Sequence, residues 1–330
     1  MNKTGLDALL GKSGGLCAAF IGGSITEGTN RATPGNFYVD IVGDAFKKRY
    51  PGARIINAGW GGTGSEFGLF RLGDDVMRHS PDIVFVEFAA NDVLKTDADT
   101  VFYMECIVKR LLSLPKIPVI IFLYTADRNY RTSAAAHHEV ALRYGIPEIY
   151  IYEHIRELIG RGVICADEIF GDEIHPNNLG YRYYAEYICD CIFSDGRDFF
   201  RLPDANTEPI NKKLLLDARI VNNTAAQTEC GWRQCPAPNR HLCPAIEGRA
   251  GGRVIFEFDG DFIGVLCEDM YMSGSALCIL DGEEIGCASA AAYRPALMRG
   301  GLADTHHRLV LEPTGDAPFR LAAFMVNASE

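Results

Sequence analysis

Four short segments carry side chains that could act together on a carbonyl group. Gly22-Gly23-Ser24-Ile25-Thr26-Glu27-Gly28 sets a serine behind two glycines, and a serine held in a sharp turn after a strand exposes its hydroxyl for attack. Asn57-Ala58-Gly59-Trp60-Gly61-Gly62-Thr63-Gly64 is dense in glycine, so backbone N–H groups there can approach a ligand closely. Ala89-Ala90-Asn91-Asp92 offers an amide donor at Asn91. Asp172-Glu173-Ile174-His175-Pro176 places a carboxylate three residues before an imidazole, a spacing that suits one tight turn in which Asp172 orients His175 and stabilises its cation. Each segment has a plainer use: a Gly/Ser loop opening a helix, a simple turn, a helix cap at Asn91, a chance D-x-x-H. A lone D-x-x-H is common; its conjunction with the other three segments is not.

These segments need a frame. Leu16–Ile21, Ala53–Asn57, Ile83–Phe88 and Val119–Tyr124 read as buried strands, with Glu148–Tyr152 a weaker fifth, being short, apolar, partly β-branched and bounded by Gly, Pro or Asp. Helical spacing marks Asn36–Tyr50, Glu66–His79, Thr100–Leu112 and Ala134–Tyr144, and a last helix follows Pro176 through Tyr184, Ile188 and Ile192. This alternation predicts a parallel sheet covered by helices on both faces, with its site at the carboxyl ends of the strands. The first three segments follow the first three strands, and the fourth precedes the last helix.

In this order the four segments resemble the SGNH hydrolases, also called GDSL esterases and lipases, over roughly residues 16–195. The resemblance implies a flavodoxin-like three-layer α/β/α domain with a five-stranded parallel sheet. It implies Ser24 as nucleophile, Asp172 and His175 as its partners, and an oxyanion hole formed by Ser24, Gly62 and Asn91. Two positions depart from the family pattern. Its G-D-S reads Gly22-Gly23-Ser24, and its G-x-N-D reads Ala89-Ala90-Asn91-Asp92; both bear on substrate preference more than on activity. Histidine ordinarily titrates near ~6.5 and is largely a neutral base at pH 7, so the implied mechanism is serine acylation and hydrolysis with no metal and no organic cofactor.

Beyond the first domain, taken as residues 1–196, a polar crossing segment is expected over 197–215, with Pro203 and Pro209. After it the helical period fades. Val254–Phe258, Phe262–Cys267, Ala276–Leu280, Arg308–Leu311 and Arg320–Val326 read as short strands, and Asp281-Gly282 as a hairpin turn. Residues 216–330 are therefore expected to form an antiparallel, jelly-roll-like β-sandwich. Trp232, Tyr271 and Tyr293 could stack on a sugar there, or the sandwich could serve only as a cap or dimer surface.

Composition narrows the partners. Of 330 residues, 48% are hydrophobic and 23% charged, with 32 Lys plus Arg against 43 Asp plus Glu and a net charge of −11. That balance, with no dense Lys/Arg stripe, argues against a nucleic-acid or anionic-membrane partner, and no apolar run reaches the ~18 residues of a membrane span. The start of the chain lacks the apolar stretch of a signal peptide, so a cytoplasmic protein with reduced thiols is expected despite eleven cysteines. Cys230, Cys235 and Cys243 beside His241 lack the paired spacing of a zinc site. Gly11-Lys12-Ser13-Gly14-Gly15 precedes the first strand, whereas a nucleophile elbow must follow one, and Leu6 stands where a P-loop needs glycine. His137-His138 and His306-His307 read as surface pairs.

The substrate is expected to be a small-molecule or glycan ester. The reading favoured is removal of a small acyl group, acetyl above all, from a carbohydrate. That substrate class follows from the resemblance, since many carbohydrate deacetylases of this type carry a β-sandwich. The alternatives are a lipase, lysophospholipase or thioesterase of the same mechanism, and a glycan-binding protein on a decayed hydrolase scaffold. Trp60, next to the glycine loop, could wall off the acyl side or lie in the core beneath.

Overall fold

Five apolar runs become the strands of one parallel sheet in a computed structural model, which describes residues 15–193, 199–235, 244–267, 274–289 and 295–328. These are β1 (Cys17–Gly22), β2 (Arg54–Gly59), β3 (Ile83–Glu87), β4 (Val119–Tyr124) and β5 (Glu148–Tyr150), in the order β2-β1-β3-β4-β5. β1, β3 and β4 are buried along their whole length, as strands covered on both faces must be. Phe20 stacks on Phe85 with ring centroids 4.5 Å apart, in a core shared with Tyr38, Val42 and Phe46 of α2 (Tyr38–Arg49) and Tyr184 and Ile188 of α8 (Asn178–Phe193). Alternate residues Ala19, Ile21, Val84 and Val86 point to the opposite face and are equally buried. There α3 (Ser65–Asp75), α4 (Asp97–Leu112) and α5 (Ala134–Tyr144) supply the cover. The chain leaves β1 for β2 on one side and returns to β3 on the other. That reversal opens a crevice at the carboxyl ends of β1 and β3.

Two local expectations change. The fifth strand ends at Tyr150, because Ile151 and Ile155 bury one face of a helix, α6 (Ile151–Gly160), that takes over directly. The polar stretch expected to cross between domains stays with the first unit, Met1–Leu214, in its described part. Phe199 and Phe200 join the core. The fully buried Glu105 of α4 then accepts from the Ile210 and Asn211 backbones at 2.6 and 2.8 Å, from Asn211 Nδ2 at 2.8 Å and from the Tyr144 hydroxyl at 2.8 Å.

The second unit, Leu215–Glu330, forms among its described residues an antiparallel sheet of nine strands. The runs expected as two strands at 254–258 and 262–267 form one strand, β10 (Arg253–Cys267). Gly260 is a bulge rather than a turn: its φ is 133°, and a Cβ there would lie 2.0 Å from the Asn327 carbonyl oxygen. Asp281 and Gly282, with φ of 53° and 89°, do make the turn between β11 (Ser275–Leu280) and β12 (Glu283–Ser289). Among the described residues no helix is long and apolar enough to cross a membrane.

Glu105→Ala is expected to destabilise the first unit by about 2–5 kcal/mol, since it strands several buried donors at once. Glu105→Gln, which keeps one carbonyl acceptor, should recover part of the loss. Urea unfolding midpoints measure both; an alanine variant as stable as the parent would contradict this account of the anchor.

Candidate active site

The nucleophile candidate sits where β1 runs out. Ser24 is the first residue of α1 (Ser24–Glu27), a single turn closed by Glu27 N–H to Gly23 O at 3.0 Å and Gly28 N–H to Ser24 O at 3.0 Å. No side chain fits just before it. A Cβ on Gly22 would lie 2.2 Å from Thr26 Oγ1, and one on Gly23 would lie 2.2 Å from Asn91 Oδ1. Asn91 is thereby packed against the backbone that presents Ser24.

Residues 172–175 come from the other end of the first unit and close on the same point. Ser24 Oγ is 2.8 Å from His175 Nε2, and His175 Nδ1 is 3.0 and 2.9 Å from the two carboxylate oxygens of Asp172. With Nδ1–H donating to Asp172, Nε2 is left to accept from the serine hydroxyl. Asp172 Oδ1 also accepts the backbone N–H groups of Ile174 and His175 at 2.8 and 2.7 Å, and Oδ2 accepts from Arg31 Nε at 2.9 Å. Partial burial disfavours the charge, but the backbone and side-chain bonds from His175, the Ile174 amide and Arg31 outweigh it and hold Asp172 well below the usual carboxylate range. The turn itself is fixed by a bridge between Phe170 and Pro176 and by Gly171 N–H to His175 O at 2.8 Å.

The glycine loop after β2 is tied to the nucleophile turn at several points. Asn57 Nδ2 donates to Thr26 O at 3.0 Å, Trp60 N–H to Gly22 O at 3.0 Å, and Gly61 N–H to Glu27 Oε2 at 2.8 Å. A Cβ on Gly59 would lie 2.1 Å from Glu27 N, so backbone meets backbone there. Gly62, with φ of 73°, takes a left-handed conformation that favours glycine. Trp60 is buried beneath this loop. Its ring meets Phe67 edge-on at 4.8 Å, with the Arg71 guanidinium 6.0 Å from its centroid.

Several polar groups that hold the site are silent in the sequence. Arg71, 2% exposed, donates Nη1 to Ala58 O at 2.6 Å and Nη2 to Gly22 O at 2.9 Å, joining the ends of β2 and β1. Glu87 lies at the end of β3 opposite Gly22 and is fully buried. His137 requires a correction. It is not on the surface but fully buried, with Nε2 2.9 Å from Asp92 Oδ2. Asp92 Oδ1 takes Ser65 N–H at 2.9 Å and Lys95 Nζ at 2.7 Å, and Lys95 also pairs with Glu66. Burial opposes the charge on Asp92, yet His137 and Lys95 hold it well below the usual carboxylate range. This network binds the end of the glycine loop to the segment carrying Asn91. His138 is exposed beside Glu148. His307 corrects the second pair: it is buried between Asp281 and the Ala303 carbonyl, while His306 is exposed.

Other candidates fall away from this centre. Trp232 packs on the second unit's core against Phe319, its ring over Gly248 and Gly252. Tyr271 and Tyr293 lie outside the described residues, as do Cys243, His241 and the Gly11–Gly14 stretch. Cys230 and Cys235 belong to no metal-ligating group among the described residues.

The arrangement equips one serine with a base, the base with an oriented carboxylate, and the space beside them with amide donors, which is the equipment for acyl transfer to water. Residues 20–183 match the profile of the GDSL-like Lipase/Acylhydrolase family. The match takes in most of the first unit, which belongs to that family, the SGNH hydrolases. No curated protein matches the chain by sequence. By structure it is similar to a two-domain esterase (CEX) active on acetylated mannans, with a TM-score of 0.81 at 20% identity over 96% of this chain and 92% of that one. The same esterase co-crystallised with mannopentaose gives 0.80 at 22% identity over 96% and 91%. An acetylxylan esterase from Geobacillus stearothermophilus gives 0.46 at 22% identity over 57% of this chain and 98% of that one. The likeness to the two-domain esterase shows that the antiparallel unit is part of the shared fold.

Asp92→Asn should cost about 3–5 kcal/mol of stability, because it breaks a buried charge pair while leaving Lys95 and His137 in place. His137→Gln, which keeps a donor and removes no charge from Asp92, should cost less. Thermal unfolding of the two variants tests the order; the reverse order would show that the network does not centre on Asp92.

Proposed function

We propose that the chain is a serine carboxylester hydrolase that removes a small acyl group, acetyl above all, from a carbohydrate. The observation that carries this reading is the unbroken line of hydrogen bonds from Ser24 through His175 to Asp172, set against Asn91 and the glycine loop. His175 takes the Ser24 proton as the hydroxyl oxygen attacks the ester carbonyl. Asp172, still ionised, stabilises the imidazolium. The backbone N–H groups of Ser24 and Gly62 and the amide of Asn91 receive the oxyanion; one such donor is worth about 2.7–4 kcal/mol in the transition state. The imidazolium then protonates the departing sugar oxygen. Water, activated by the same histidine, releases the acid.

The carbohydrate part of the reading is supported by the likeness to the acetylated-mannan esterase, which runs through both units. A short acyl group follows the same likeness; Trp60 and Phe67, whose rings pack together beneath the glycine loop, are core residues there. The same mechanism on long-chain or thioester substrates is the outcome that would displace it.

Ser24→Ala should keep the fold and lose ester hydrolysis by at least about a thousandfold, and a phosphonate probe should label Ser24 in the parent protein. Labelling at Ser65 or Ser13 instead would remove the nucleophile assignment. Turnover should fall from acetyl to butyryl and be nearly absent for octanoyl esters, because overpacking a pocket sized for acetyl is costly. An optimum at eight carbons or more would favour the lipase reading. Asp172 should contribute nothing to any fall in kcat/KM on the acid side, because its carboxyl, held well below the usual range, stays ionised there. A chelator should leave the rate unchanged; loss restored by zinc would contradict the scheme.

A further inference from the structure

Behind the nucleophile turn lies a carboxyl group with no part in the chemistry above. Glu87 ends β3 and pairs in register with Gly22. Three donors from two separate segments converge on it. Thr26 Oγ1 lies 2.8 Å from Oε2, Thr125 Oγ1 lies 2.5 Å from Oε1, and the Gly23 backbone N–H also donates to the carboxylate. Thr26 Oγ1 lies a further 2.8 Å from the Tyr38 hydroxyl. Gly23 and Thr26 flank Ser24, so two of the three bonds hold the turn that presents it.

The hydrogen count settles how this cluster works. A hydroxyl has one proton to give. With Glu87 ionised, Thr26 and Thr125 both donate to it, Gly23 N–H completes the set, and Tyr38 donates to Thr26. Every group is satisfied in one direction. If Glu87 takes up a proton, that proton must point at one of its partners. Should it face Thr26, that hydroxyl must turn away from the carboxyl and contend with Tyr38. Should it face Thr125, the strand-end contact reverses. The fully satisfied clamp exists only in the ionised form.

We propose that Glu87 is the positioning residue of the nucleophile turn: its carboxylate, by accepting from Gly23, Thr26 and Thr125 together, holds Ser24 where it reaches His175, and one proton taken up at Glu87 relaxes that hold. The inference rests on the reading of Ser24 as nucleophile. The groups facing Glu87 from the packed elements are the phenols of Tyr38 on α2 and of Tyr181 and Tyr184 on α8, together with the carboxylate of Asp92 after β3. Burial, aided by the charge of Asp92 and only partly offset by the Thr125, Thr26 and Gly23 bonds, pushes Glu87 up to about 7. The clamp therefore opens and closes near neutral pH.

The test is the pH dependence of two independent rates at Ser24: kcat/KM for acetyl ester hydrolysis, and second-order inactivation by a fluorophosphonate, which needs no particular alcohol or acyl group. In the parent protein both should fall with a slope above one over the range in which Glu87 takes up its proton, by the same factor that Glu87→Gln loses, because the protonated form keeps only that residual rate. Glu87→Gln cannot ionise and supplies one acceptor oxygen. Its rates at pH 8 should be roughly ten- to a hundredfold lower, in line with a displaced nucleophile, and its acid limb should have a slope of one. Thr125→Val, which removes one donor and keeps the shape, should move the upper acid limb to higher pH. A slope of one in the parent, an unchanged slope in Glu87→Gln, or an unmoved limb in Thr125→Val would each overturn the proposal while leaving Ser24 as nucleophile. Absence of fluorophosphonate labelling at every pH would instead strike the hydrolase reading, and this proposal with it.

Discussion

The site depends on how little room surrounds Gly22 and Gly23. Thr26 and the Glu87 carbonyl crowd the first, and Asn91 crowds the second, each closer than a Cβ could stand. This crowding brings the carboxyl ends of β1 and β3 into contact and sets Asn91 beside Ser24. It also accounts physically for the departure from the family's G-D-S. An aspartate at position 23 would require Asn91 to leave its present seat.

From that contact outward the site is assembled by reciprocal ties between remote segments. The nucleophile turn gives its Glu27 carboxylate to Gly61 and its Thr26 carbonyl to Asn57. Arg71 gathers the carbonyls of Gly22 and Ala58 where parallel strands outrun their partners. Asp92 joins Ser65 to the segment of Asn91. None of these groups need touch a substrate. Together they make the amide donors a fixed feature of the folded chain, so that their orientation costs little when charge develops on the carbonyl oxygen.

What could be read from the sequence was whatever is local. Asp172 and His175 announce themselves because their partnership is closed within one turn. β4 and α5 were legible to the residue because an apolar run and a helical period need only their own neighbours. What was missed or misread has a different cause. Glu87 sits inside an apolar run and looks like a strand interior, and its partners Thr26 and Thr125 are 61 and 38 residues away. His137 reads as a surface residue until Asp92, 45 residues earlier, is folded onto it. Gly260 follows an aspartate as a turn glycine would, but the approach of the Asn327 backbone makes it a bulge. Pairing across the fold carries no local pattern, so chemistry confined to one turn is visible and the groups that hold it are not.

The carboxyl groups around Ser24 also pull against one another in pH. Asp172 and Asp92 are held below their ordinary range, so the stability they contribute is present above the unfolded value and lost as pH falls through the folded one. Glu87 runs the other way. Its folded value, about 7, lies above the ordinary 4.5, so folding takes up a proton between those limits. Its favourable contribution is complete below the lower value and is lost as pH rises through the upper, an amount on the order of 3 kcal/mol. The fold is thus best served with Glu87 neutral. The three converging donors are best served with it ionised. A carboxyl group placed under the nucleophile turn therefore subtracts stability in the pH range where its hydrogen bonds are complete, which is the sign expected of a group retained for the site rather than for the fold.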